Sequence, residues 1–168
     1  MIASQLEIIE QGKYYLKKLS DEQYNHVSKP LFNSSAGAHM RHVIDHYLAL
    51  IQATDKVINY NKRHRFGESE NHTEAALQQL SYIADWLNQL TETDLQQTVS
   101  VISEISVSTQ QDYAGESTLG RELVFVSSHA VHHYFSLKLI ARSQGITLSD
   151  SFGVAPATAS FQRSGLAG

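Results

Sequence analysis

The chain has no cysteine and only two prolines in 168 residues. Without thiols there are no disulfides, no thiolate metal ligands and no cysteine nucleophile. That absence fits a reducing compartment. There is no excess of positive charge either: the net charge is −4 and the isoelectric point is near 6.1, which argues against nucleic acid as the main partner. The densest basic run, Lys62-Arg63-His64-Arg65, is short and follows a helical pattern, so it is expected to be a helix C-terminus favoured by the dipole. No apolar run approaches the ~20 residues that a membrane span needs. Glu7, Glu10, Lys13, Lys17 and Lys18 leave no apolar signal core in the first twenty residues. The expectation is a soluble, cytoplasmic protein without nucleic-acid or membrane partners.

Histidine is what the chain has in abundance. His39, His42 and His46 lie in one block, and His129, His132 and His133 in another, together six of the nine histidines. On a helix, residues four apart sit about 40° apart and one turn along. His42 therefore shares a face with His46, and His129 with His133. Neutral imidazole is the commonest protein metal ligand. A site built here would be all-nitrogen, completed by carboxylate or water. Leaving several imidazoles buried without partners would cost ~1–3 kcal/mol each, and a shared cation removes that cost. The chain has no Glu-x-x-His pair for a di-iron bundle and no His-Glu-x-x-His zinc motif.

With 42% apolar residues, the chain is long enough for one full core. Leu6, Ile9, Leu16 and Leu19 give a first amphipathic helix over 4–19, and Ser20 with Gln23 starts a short one. Pro30 and Asn33-Ser34-Ser35 break the chain, with Ser34 or Ser35 capping a second long helix from Ala36 to about Tyr60. Residues 66–70 are expected to form a polar loop. Asn71 and Glu74 then open a third helix carrying Leu80, Ile83, Ala84 and Leu87. Thr98–Ile102 and Ile105–Thr109 alternate apolar and hydroxyl residues, which predicts a short hairpin or extended excursion. Ser117 or Thr118 caps a last long helix that Gly145 ends. Residues 1–148 thus form one all-α domain, a four-helix bundle. Residues 149–168 form an irregular tail, lying as a strap or disordered.

The segments Gly37-Ala-His-Met-Arg-His-Val-Ile-Asp-His-Tyr and Ser128-His-Ala-Val-His-His-Tyr resemble the DinB-like family of four-helix-bundle metalloproteins. The family has a histidine in helix two, five residues after a small residue, as His42 follows Gly37. It has His-x-x-x-His in the last helix, as at His129 and His133. The resemblance implies an up-down-down-up bundle holding one divalent ion, zinc, nickel or iron, through His42, His129 and His133. His46 is the rival ligand. Relatives include thiol-dependent transferases and isomerases, whereas the family ending His-Arg-Gly-Gln is His133-Tyr-Phe-Ser here.

Two readings follow. In the first, the ion has an open position and activates a water or a low-molecular-weight thiol toward a small-molecule substrate, in S-transfer or hydrolysis. Glu122 is then the candidate base, against a plain role as negative charge near a helix N-terminus. Asp45 is a candidate to orient a ligand histidine, against a solvated helix position. In the second, the protein is a non-enzymatic, metal-stabilised binding or stress-response domain, with a homodimer as one arrangement. Its ion would be structural, closed by His42, His46, His129 and His133.

Overall fold

A computed structural model describes residues 1–62, 64 and 67–165. In chain order it contains α1 (Ile2–Leu16), α2 (Asp21–Asn25), α3 (Ala36–Ile51), β1 (Val57–Asn59), α4 (Glu68–Asn71) and α5 (Thr73–Gln89). These are followed by α6 (Glu92–Leu95), β2 (Thr98–Glu104), β3 (Asp112–Thr118), α7 (Leu119–Ser143) and α8 (Pro156–Arg163). The protein is mostly helical, with a small three-stranded sheet. Helix α1 packs on α5 and α7, and α3 packs on the same two. Ile9 and Leu16 of α1, Met40 and Ile44 of α3, Leu80 and Ile83 of α5, and Leu123 and Leu137 of α7 meet in one core. Their spacing of three, four, seven or fourteen within each helix supplies the inward stripe that burial requires.

Local signals set the helix starts. The Ser35 hydroxyl accepts from the Ala38 amide at 3.2 Å, and Thr118 accepts from Arg121 at 3.2 Å. Ser20 and Gln23 cap each other reciprocally. Helix α7 ends at a glycine, Gly145, with φ +73°, where a side chain would be strained. Helix α5 is capped from outside. His72, one residue after the expected Asn71, holds the cap position but gives no side-chain cap. Asp21 of α2 instead accepts from the Thr73 amide and hydroxyl, each at 2.8 Å.

Those bonds, the Thr73 amide first, hold the Asp21 carboxyl down to about 2. A depressed carboxyl stabilises the fold above its unfolded value and loses that contribution as pH falls through the folded one. Asp21→Ala is therefore expected to lower the urea midpoint clearly at about pH 6, and by less as pH falls from about 4 toward 2. An equal loss at both ends of the range would assign Asp21 another role.

The second long helix is shorter than its sequence pattern. It stops at Ile51, and residues 52–60 turn out of it. Asp55 and Lys56 take left-handed φ angles of 52° and 62°, and Val57 and Ile58 enter a strand. β-Branched residues favour that conformation, and the strand finds a parallel partner: Val57, Ile58 and Asn59 register with Ser100, Val101 and Ile102 of β2. Lys62 therefore lies beyond the helix and not at its C-terminus, while Arg63, Arg65 and Phe66 lie outside the described residues. Within the expected polar loop, Glu68–Asn71 forms a helical turn.

The hairpin is present with a different second arm. Strand β2 pairs antiparallel with β3, from Thr98 opposite Thr118 to Glu104 opposite Asp112. Ile105–Thr109 is the connection, where alternation carries no burial: Ile105 and Val107 are exposed. The tail is a strap followed by a helix. Phe152 is buried between Tyr15 of α1 and Tyr134 of α7, with ring centroids at 5.5 and 5.4 Å. Lys138 Nζ donates to the Asp150 and Phe152 carbonyls at 2.7 and 3.3 Å, and the Gly153 amide donates to Gln11 Oε1 at 3.0 Å. Pro156 then opens α8, at a position suited to a residue without an amide hydrogen.

Gly37 is fixed by a close approach. A methyl on its Cα would overlap the backbone carbonyl of Glu70, so α4 can lie on α3 only here with glycine. Gly37→Ala is expected to destabilise the protein by about 1–3 kcal/mol through overpacking. An unchanged melting temperature would mean that α4 shifts without penalty.

Candidate metal centre

Helices α3 and α7 face each other and bring the two histidine blocks together. Nε2 of His129 lies 3.0 Å from Nε2 of His42 and 3.1 Å from Nε2 of His133. One ligand atom from each of these residues falls within 4.8 Å of the other two, and all three side chains are half-buried. Three such atoms around a shared point are a facial set of nitrogen donors. The donor set fits a divalent ion, because imidazole binds zinc, nickel, copper and iron. Burial, and then the neighbouring His129, His39, His132 and His46, push His133 down to about 3, so it is neutral at physiological pH, as a ligand must be.

The remaining histidines of the two blocks take other places. His46 is buried, and its Nδ1 lies 2.9 Å from the His42 carbonyl oxygen of its own helix. Carbonyl oxygen only accepts, so this nitrogen carries the proton. The His46 ring stacks on His129 with centroids 4.2 Å apart and planes at 26°, and on its other neighbour Tyr60 at 5.4 Å. His39 reaches His133, with the two Nδ1 atoms 2.9 Å apart. His132 is exposed, with its ring 5.5 Å from that of His133.

The two acidic candidates are both buried and both engaged. Glu122 sits in the first turn of α7 and accepts from Tyr60 at 2.7 Å through Oε2 and from Ser117 at 2.6 Å through Oε1. It ties the segment after β1 and the end of β3 to the start of α7. Asp45 pairs with Arg41 Nη1 at 2.8 Å and with His64 Nδ1 at 2.8 Å. It orients a histidine outside the triad. Arg41 in turn meets Glu70 at 3.2 Å, which links α3 to α4.

Sequence reasoning missed Tyr60 and Phe125. Tyr60 was expected at a helix end, and the turn at Asp55–Lys56 instead carries it against His46 and Glu122. Phe125 lies one turn before His129 and packs its ring at 6.0 Å from that imidazole and 5.2 Å from Tyr60. Its place on the His129 stripe was the available signal.

A mostly helical protein with three histidines from two facing helices, arranged so that they could hold a metal ion, is the class that fold and site define. Residues 13–135, well over half of the chain, match the family model of the DinB superfamily, and the chain belongs to that superfamily. It is also similar to FK506-binding protein 5 of Rhizopus delemar, 34% identical over 102 residues. That match covers 61% of this chain and 26% of the relative, so the chain corresponds to about a quarter of that protein's length. No solved structure matches. Among the described residues, no helix is long and apolar enough to cross a membrane.

Proposed function

We propose that the protein is a metal-dependent enzyme of the thiol S-transferase or small-molecule hydrolase class. It holds one divalent ion, zinc, nickel or iron, through His42, His129 and His133, within a bundle of up-down-down-up path. The observation that carries this reading is the convergence of the three Nε2 atoms. An ion held by three protein ligands keeps open positions and lowers the pKa of a water or thiol that enters them.

The chain's own residues prepare that place. His133 stays neutral, so no proton competes at its nitrogen in the ordinary pH range. His46 supports three ligands over four: its ring lies flat on His129, and it stands outside the group of ligand atoms that fall within 4.8 Å of one another. Phe125 and Tyr60 shield one side of the imidazoles from water. Glu122 anchors through both oxygens; to act as base it would have to exchange Tyr60 or Ser117 for substrate. A small-molecule thiol as partner and a cytoplasmic location belong to the same reading.

Metal analysis of protein purified without chelators is expected to give about one divalent ion per chain, since affinity of this kind survives purification. Conjugation of a low-molecular-weight thiol to a panel of electrophiles, and hydrolysis of activated esters, should then depend on that ion. Stoichiometric metal with neither activity would favour the structural-ion reading.

A further inference from the structure

We infer that His39 is a positioning residue for the metal centre, accepting a hydrogen bond from Nδ1 of His133 and thereby turning the His133 lone pair toward the ion. The inference rests on the metal reading proposed above. The argument is one of proton counting along a three-residue chain. His133 Nδ1 lies 2.9 Å from His39 Nδ1, and His39 Nε2 lies 2.9 Å from the Ser34 hydroxyl. The two rings sit 5.2 Å apart with planes at 53°.

A neutral imidazole has one N–H and one lone pair. Two facing nitrogens need one of each. If His133 is to offer Nε2 to a cation, its proton sits on Nδ1 and is donated to His39. His39 then carries its own proton on Nε2 and donates it to Ser34, whose hydroxyl accepts. Every group in the chain is satisfied in this setting. In the opposite setting Ser34 donates to His39, His39 donates to His133, and the His133 proton sits on Nε2. That proton points at His129 Nε2, 3.1 Å away, and occupies the place of the ion. The Ser34–His39 chain is thus a tautomer selector with a metal-competent and a metal-excluding setting. Such partners of ligand histidines raise metal affinity by fixing ring and tautomer. Ser34 reaches the chain because it lies just before the α3 cap at Ser35, which turns it back over the first turn.

The test is titration of the metal-free protein with Co2+, read by its ligand-field absorption, for wild type, His39→Leu, His39→Asn and Ser34→Ala. His39→Leu, which removes the acceptor, is expected to weaken cobalt binding by about 10–100-fold. His39→Asn can place Oδ1 where Nδ1 was, so it should recover most of the affinity, and Ser34→Ala should lose less than His39→Leu. In 15N spectra of the zinc-loaded protein, His133 should appear as the Nδ1–H tautomer in wild type and in His39→Asn. Cobalt binding by His39→Leu equal to wild type would overturn the inference and leave the metal reading intact. Equal losses for the Leu and Asn variants would also overturn it, making His39 a packing residue or a ligand. If the wild type binds no cobalt, the metal reading falls and this inference with it. Should His39→Leu not fold, His39→Gln, whose amide reaches past the Nδ1 position, takes its place with the same expected loss.

Discussion

His129→Ala is expected to abolish stoichiometric metal binding, with a loss of affinity greater than the about 10–100-fold typical of residues that only support a ligand. His129 is central to the triad, its Nε2 within 3.0 Å of His42 and 3.1 Å of His133. Removing it leaves two imidazoles on different helices, too few to replace the hydration of a divalent ion. His46→Ala is the informative companion. It stands outside the converging set of His42, His129 and His133, so the ion should remain bound, with affinity lowered by about tenfold to a hundredfold as the ring stacked on His129 is lost. Competition with a chromophoric chelator measures both. Equal losses for the two variants would point to four protein ligands and a closed, structural ion.

The second large effect is on stability. Phe152→Ala is expected to destabilise the protein by about 3–5 kcal/mol, the range for removing a buried phenyl ring. Phe152 is only 1% exposed, and it stacks on Tyr15 at 14° and on Tyr134 at 20°. Without it, the Lys138 and Gln11 hydrogen bonds and the close approach of Gly153 to the α7 backbone are left, among the described residues, to hold residues 150–153 against α1 and α7. For a chain of this size each kcal/mol lowers the melting temperature by about 2–4 °C, so a fall of about 6–20 °C should be visible by calorimetry. A fall of under about 2 °C would mean the strap lies on the surface without contributing to the core.

What the sequence made legible depended on whether the signal was local. The caps at Ser20, Ser35 and Thr118 act within four residues of themselves, and each stands where it was expected. The pairing of His42 with the His129 and His133 face followed from helical periodicity and the family likeness. The extent of α3 was not legible: residues 52–60 keep an apolar, helix-compatible pattern, and only the distant partner strand β2 decides that Val57 and Ile58 extend. The same holds for the alternating Ile105–Thr109, whose pattern lacked a buried face, while Asp112–Thr118 becomes a strand by pairing along its whole length with β2. Asp21 capping α5 and Glu122 clasped by Tyr60 and Ser117 are contacts across 52, 62 and 5 residues respectively. Tertiary structure alone creates the first two.

One measurement tests the central claim most directly: X-ray absorption at the zinc edge on the metal-loaded protein, which counts imidazoles around the ion. The account predicts three histidine nitrogens at about 2.0–2.1 Å together with at least one non-histidine oxygen, and loss of one imidazole from that count in His133→Ala. Four imidazoles in the wild type, or an ion surrounded by oxygen alone, would contradict it.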